Sequence, residues 1–293
     1  MDSKKRLIVI TGPTGVGKTA RAIEIAQRLN TEIISADSRQ IYRGIPICTA
    51  VPTHEERAAA KHHFVEILDL DEYYSAAQFE EDAIALIGNL FEQHDNVVLC
   101  GGSMLYVDAV CNGIDNIPTI SPDVREAVAH DLDTYGVDFL KQELKKIDPE
   151  YYAIVDVNNT KRIVHAIEIC RQSCSTYTSL RTGTRKNRDF EILKIGLTLP
   201  RTQLFERINH RVDKMVDAGL EAEARSVFPL RHLNSLNTVG IKEMFAYFDG
   251  KMDFHTAVER IKKNTRVYAK KQLTWHAKDT SIIWKAPDDY IEL

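Results

Sequence analysis

The chain has 293 residues, 44% hydrophobic and 27% charged, with a formal net charge of −4, the composition of a globular protein with one large domain or two modest ones. No apolar run approaches the length of a bilayer-spanning helix, and Lys4-Lys5-Arg6 precedes only four apolar residues, too few for a signal peptide. Five cysteines make neither a disulfide framework nor a paired C-x-x-C zinc pattern, so a reducing, cytoplasmic setting is expected.

The first expected strand, Leu7–Ile10, runs into Gly12-Pro13-Thr14-Gly15-Val16-Gly17-Lys18-Thr19. This is G-x-x-x-x-G-K-[ST], placed where a buried strand turns into a helix. Its glycines let backbone N–H groups surround phosphate oxygens. Lys18 adds a mobile positive charge, and the Thr19 hydroxyl can hold Mg²⁺. The helix that follows, over 18–29 with Ala22, Ile25, Ala26 and Leu29 on one face, points its positive end at the same anion. A strand Glu32–Ala36 then ends at Asp37, and an extended piece is expected over Phe64–Leu68. Ser75 reads as the N-cap of a helix with Phe79, Ala83, Leu86 and Leu90 inward. Strand Val97–Cys100 ends at Gly101-Gly102-Ser103, which opens another helix. This rhythm predicts a P-loop NTPase-like α/β core: a parallel sheet flanked by helices.

From about residue 113 the pattern changes. Pro118 and Pro122 break the chain, and helical patterns follow at Val124–Leu132, Phe139–Ile147, Tyr151–Ile154 and Lys161–Arg171. We read 114–190 as a mainly helical insertion and 1–113 with 191–293 as the core. Cys170 and Cys174, one helical turn apart, read as two buried thiols rather than metal ligands. The core resumes with a strand at Ile192–Leu199, a helix over 202–227, a long helix over about 253–278 and a late strand at Ile282–Trp284.

Charge is unevenly spread. Residues 158–188 carry +6, residues 255–278 carry +6, and the remainder carries −16. Two basic segments in an acidic chain point to a polyanionic partner larger than a nucleotide, against the competing reading of two solvated helix faces.

Asp37 carries most weight after the phosphate loop. Ligands of open α/β sheets sit beyond the carboxyl ends of the strands, so Asp37 and Lys18 should face one crevice. There a carboxylate can take a proton from an attacking group; a turn or helix-cap aspartate is the competing reading. Ser103 should border the same crevice and touch substrate or leaving group, or else act as a simple N-cap. Arg207 and Arg211 lie four apart on one helix face, suited to closing over a phosphate or to being merely exposed. The strand Val97–Cys100 lacks the terminal acid that supports Mg²⁺ in ATP-hydrolysing P-loop proteins, which argues against a motor or hydrolase. D-D-x-x-D, which holds pyrophosphate in terpenoid enzymes, is absent.

Together the stretches GPTGVGKT (12–19), ISADSRQIYRG (34–44), YSAAQFEEDA (74–83), GGSMLY (101–106), KRIVHAIEI (161–169), INHRVDKMVDAGLEAE (208–223), TVGIKE (238–243) and NTRVYAKKQLTW (264–275) resemble the tRNA dimethylallyltransferases, also called isopentenyl-tRNA transferases, of the bacterial type without a zinc finger. They come in the family's order and run nearly end to end.

The resemblance implies transfer of a dimethylallyl group from dimethylallyl diphosphate to N6 of the adenine 3′ of a tRNA anticodon. Asp37 would be the general base. The loop residues Gly12–Thr19 with Arg207 and Arg211 would hold the diphosphate, Mg²⁺ would sit at Thr19, and Lys18, Thr19, Arg211 and Ser103 would complete the catalytic set. It places tRNA contacts at Asp37, Ser38, Arg39, Gln40, Ser103, Arg125, Lys161, Arg162, His165, Lys242, Lys270, Lys271 and Gln272, with the target base drawn out of the anticodon loop. The chain departs from the family's usual pattern at Cys48, Val51, Ser103, His165, Ile241 and His276-Ala277, and Val51, His165 and Ala277 each lose a positive charge. A monomer is expected. Competing activities are prenylation of free adenine nucleotides, phosphoryl transfer by a small-molecule kinase, and RNA binding without catalysis.

Overall fold

The computed structural model describes residues 4–293. The chain divides into two compact units, one of residues 1–112 with 187–293 and one of 113–186.

The larger unit begins with β1 (Arg6–Thr11), α1 (Lys18–Leu29), β2 (Ile33–Ser35), two short helices α2 (Pro46–Thr49) and α3 (His54–Ala59), and β3 (His62–His63). Then come α4 (Ala76–Phe91), β4 (Asn96–Cys100) and α5 (Met104–Asn112). The smaller unit is helical: α6 (Pro122–Tyr135), α7 (Val137–Ile147), α8 (Pro149–Ile154), α9 (Thr160–Ser173) and α10 (Tyr177–Leu180). The chain then forms β5 (Glu191–Leu197), α11 (Arg201–Asp217), α12 (Leu220–Val227), α13 (Ile241–Phe248), α14 (Phe254–His276) and β6 (Ile283–Lys285).

All strand pairs are parallel, in the order β3-β2-β4-β1-β5-β6. β1 is central and covered on both faces, which is why it reads as an unbroken apolar run. Leu7 and Val9 pack with Phe79, Ala83 and Ile87 of α4 and with Val107 of α5. Ile8 and Ile10 point the other way, into Ala22, Ile25 and Ala26 of α1, Leu204 and Ile208 of α11 and Ala269 of α14. The alternation along one strand thus fixes which helices lie on which side.

Three expectations change. Phe64–Leu68 is not a strand: Phe64 (φ 58°) and Glu66 (φ 52°) are left-handed, which breaks extended pairing, and only a Tyr42–Leu68 bridge remains. The helix expected over 202–227 is two helices, because Gly219 at φ 100° turns the chain and sends α12 against α13. Cys170 is buried, but Cys174 takes a left-handed C-cap position and is exposed.

The helical unit packs Val128, Leu140, Leu144, Tyr151, Ile163 and Ile167 into its own core. Asp148, 1% exposed, organises it. Its Oδ1 accepts from the Tyr151 amide at 3.0 Å and the Thr178 hydroxyl at 2.7 Å, and Oδ2 accepts from the Thr178 amide at 2.7 Å. These bonds hold the Asp148 carboxyl below the usual carboxylate range against the opposing effect of burial.

Candidate active site

The ends of β1, β2 and β4 open on one cavity of about 970 Å³ within the larger unit. Its lining includes Thr14, Gly15, Gly17, Lys18, Thr19, Asp37, Gly101, Gly102, Arg207 and Arg211, so the sheet brings together the residues singled out for diphosphate chemistry.

The phosphate loop is shaped by glycines where nothing else fits. Gly12 has φ 136°, and a Cβ there would stand 2.5 Å from the Leu197 carbonyl oxygen. Pro13 and Val16 are buried beneath the loop and support it rather than lining the cavity. Lys18 Nζ donates to the carbonyls of Gly12 at 3.0 Å and Pro13 at 2.9 Å. Burial pushes its pKa down to about 8, with Arg211 adding to the fall and Cys100 and Asp37 opposing it. Arg211 Nη1 donates to the Thr14 hydroxyl at 3.2 Å, and Arg207 Nη2 lies 3.4 Å from where a Gly17 side chain would begin. Both arginines therefore stand over the loop, as their spacing on α11 predicts. His210, between them, and Lys214, one turn beyond, also line the cavity.

Asp37 lies across from this cradle. Its Oδ1 accepts from the backbone amides of Arg39 at 2.9 Å and Gln40 at 3.3 Å, while Oδ2 takes no hydrogen bond from the described residues. The turn-aspartate and base readings are thus compatible: one oxygen shapes the loop and the other is open to a ligand. The carboxylate is close enough to act electrostatically on Lys18, Arg211 and Tyr268.

Ser103 directly precedes α5, and its hydroxyl is turned to the loop that carries Asp37. It is 8% exposed, and its Oγ accepts from the Ser38 amide at 2.8 Å and lies 3.2 Å from Ser38 Oγ. Arg39 and Gln40 are also turned inward: Arg39 Nη1 donates to the carbonyls of Asn234 and Ser235, and Gln40 Nε2 to those of Thr49 and Ala50. Gln272, expected on an RNA-facing surface, is 1% exposed. Its Oε1 accepts from the Thr14 amide at 2.8 Å and its Nε2 donates to the Gly102 carbonyl at 2.8 Å, strapping the phosphate loop to the loop after β4. One turn later His276 places Nε2 3.0 Å from Thr11 Oγ1. Burial, helped by Lys18, pushes His276 down to about 4, so it is neutral.

The remaining expected RNA contacts lie outside the cavity. Lys242 on α13 and Lys270 and Lys271 on α14 are exposed. In the helical unit Lys161, Arg162 and His165 are exposed along α9, and Arg125 on α6 is half-buried. Not all of the basic charge is available: Arg171 is held by Glu143 and Asp131, Arg188 by Glu80, and Lys262 by Asp213 and Glu259.

Sequence reasoning missed Tyr268, His210, Lys214 and, apart from Val51, the wall of Pro46, Ile47, Ala50 and Pro52. The first three sit at helical spacing from residues already chosen, so the signal was present. The wall belongs to α2 and its flanks, where the Glu223 carboxylate accepts from the amides of Ile47 at 2.7 Å and Cys48 at 2.8 Å, a long-range contact without a local pattern.

The model of the IPP transferase family matches residues 40–279. The chain belongs to the IPP transferase family. It is 53% identical over 99% of its length to a tRNA dimethylallyltransferase 1 of Bacteroides fragilis, of which it covers 96%, and 52% identical over 98% to one of Phocaeicola vulgatus, again covering 96%. Among solved structures it is similar to the tRNA isopentenylpyrophosphate transferase of Bacillus halodurans, with 39% identity, TM-score 0.70, and 96% and 90% of the two chains covered. It is also similar to a eukaryotic dimethylallyltransferase acting on tRNA, at 27% identity, TM-score 0.78, and 93% and 70% coverage. IPP transferase membership makes the chain a transferase, and it accounts for a phosphate loop whose neighbouring strand lacks the acid of a nucleotide hydrolase. Among the described residues no helix is long and apolar enough to cross a membrane.

Proposed function

We propose that this chain transfers the dimethylallyl group of dimethylallyl diphosphate to N6 of the adenine next to the anticodon of a tRNA, releasing diphosphate. One observation carries the reading: in a member of this family, a phosphate cradle and a carboxylate with one unengaged oxygen share a single cavity. The allylic C–O bond breaks, the N6–C bond forms, and the amine proton leaves to Asp37. The exocyclic amine is a poor nucleophile, so that proton transfer matters. Negative charge grows on the departing diphosphate, where the loop amides, Lys18, Arg211 and Arg207 oppose it. The lowered pKa of Lys18 reflects a desolvated ammonium that gains from an incoming anion.

Mg²⁺ fits this donor set. The Thr19 hydroxyl lines the cavity without a partner among the described residues, and no cluster of three or more acidic, histidine or cysteine ligands stands there. A single hydroxyl suits a Mg²⁺ ion that keeps several waters and shares phosphate oxygens. When bound, it would supply positive charge to the leaving group. We assign to the tRNA backbone the exposed cations of α9 in the helical unit and, separately, those of α13 and α14 in the larger unit, and the protein would act in the cytoplasm as a monomer.

The test is labelled dimethylallyl diphosphate offered with unmodified tRNA and, separately, with AMP. Label in tRNA at the adenine beside the anticodon, read by nucleoside mass spectrometry, is the expected result. Label only in AMP, or ATP-dependent phosphorylation of a small molecule, overturns the reading.

A further inference from the structure

Helix α2 is only four residues long, too short to hold itself, yet it forms part of the cavity wall. Its polar ends can be accounted for one by one. Pro46, its first residue, has no amide proton, so the free donors of its first turn are the amides of Ile47 and Cys48. Both go to Glu223 of α12, one to each carboxylate oxygen, at 2.7 Å to Oε2 and 2.8 Å to Oε1. At the other end Gln40 Nε2 donates to the carbonyls of Thr49 at 3.1 Å and Ala50 at 2.9 Å. Glu223 does not itself line the cavity, and neither proton transfer nor diphosphate binding employs it.

Gln40 joins this helix to the base. The Ser35 hydroxyl donates to Gln40 Oε1 at 3.2 Å, which leaves both Nε2 protons for α2, so both ends of the side-chain amide are paired in one orientation. The Gln40 backbone amide donates in turn to Asp37 Oδ1 at 3.3 Å, beside the Arg39 amide at 2.9 Å. A continuous series of hydrogen bonds therefore runs from Glu223 through α2 and Gln40 to the carboxylate of Asp37. Its Glu223 end is anchored in a packed core, where Leu220, Ala224 and Val227 of α12 lie among Ile45, Ile241 and Met244. Burial raises the pKa of the Glu223 carboxyl and the two amides oppose that rise, as expected of a buried charge held by the hydrogen bonds it accepts.

We propose that Glu223 is a positioning residue for the prenyl transfer: by capping α2 it fixes the support from which Gln40 holds the turn that carries Asp37. The proposal rests on the reading of function given above. The carboxylate of Asp37 must meet the N6 amine at hydrogen-bond distance, and a displacement of about 1 Å can slow such a step about 10²-fold. In Glu223→Gln the side-chain amide keeps one acceptor for two donors and turns an NH₂ towards the other, so α2 loses half of its anchor without losing volume.

The experiment measures single-turnover transfer from labelled dimethylallyl diphosphate, over a range up to saturation, with enzyme in excess over unmodified tRNA. It compares wild type, Glu223→Gln, Gln40→Met and the double variant. The control is Glu221→Gln, which alters an exposed neighbour on α12 paired with Arg225. The rate constant at saturation does not depend on how much of the enzyme is folded, which is what a merely structural role would change (thermal melting records that separately). Glu223→Gln should slow the step at least about tenfold. Gln40→Met keeps the backbone amide bonded to Asp37 but removes both donors to α2, and it should slow the step comparably. Glu221→Gln should leave it unchanged. The double variant should be no slower than the slower single variant, because both cut one series of bonds. A wild-type rate constant in Glu223→Gln, an equal loss in Glu221→Gln, losses that multiply in the double variant, or an effect confined to KM for dimethylallyl diphosphate overturn the proposal, while an active wild type leaves the functional reading standing. An inactive wild type overturns both. Should Glu223→Gln fail to fold, Glu223→Asp, which keeps the charge but is shorter by one methylene, takes its place with the same outcomes required.

Discussion

The two walls of the cavity are made by different means. The phosphate loop is a local object: eight consecutive residues, glycines at the tight points and a helix N-terminus directly behind. The wall carrying Asp37 is assembled from afar. Its turn is tied to Ser103 in the loop after β4, Arg39 reaches residues 234–235, and Gln40 reaches 49–50. Binding a diphosphate needs many roughly equivalent donors, which backbone amides supply wherever the chain curls. Aiming one carboxylate at one amine requires a fixed direction, and that comes from cross-links to distant elements.

The sharpest way to break this comparison is Asp37→Asn. The amide keeps the oxygen that accepts from Arg39 and Gln40, so the turn should survive while the base is lost. We expect kcat to fall by about 10²–10⁴-fold, the range for a missing general base, with the melting temperature unchanged. Normal turnover would remove Asp37 from proton transfer.

Gln272→Ala cuts the strap between the walls. It orphans the Thr14 amide and the Gly102 carbonyl, each at about 1–3 kcal/mol, so the loss of stability should be about 2–6 kcal/mol by denaturant titration. KM for dimethylallyl diphosphate should rise with it.

His276 gives the comparison a pH axis. Its folded pKa, about 4, lies below the ordinary value of 6.5, so the unfolded chain binds more protons between those limits. Its contribution is whole above the unfolded pKa and is lost as pH falls through the folded one. The loss should reach on the order of 3 kcal/mol, and His276→Gln should flatten the stability–pH profile between pH 6.5 and 4. An unchanged profile would show that His276 is not buried neutral.

The smallest effect is expected at the surface. Lys161→Ala or Lys270→Ala should each lower the slope of log K for tRNA against log salt by roughly one, with little effect on stability. A slope indifferent to both would separate these cations from the RNA.

What could be read in advance follows the same division. The phosphate loop, the apolar run of β1 and the N-cap Ser75 depend on neighbours within a few residues, and the chain displays them openly. Asp37 was legible because strand ends converge. Ser103, Arg39, Gln40 and Gln272 were noticed but given outward-facing tasks, since their partners lie 65, 195, 9 and 258 residues away in the chain. The break at Gly219 was missed because apolar spacing continues across it, and only the backbone dihedral reveals the turn.

The strap at Gln272 also bears on when the molecule becomes competent. The cradle leaves the ribosome 258 residues ahead of the side chain that locks it. A nascent chain halted before α14 could form much of the sheet around an unlatched loop. Such a chain would grip pyrophosphate poorly, so that prenyl-transfer capacity arrives only once α14 has been made.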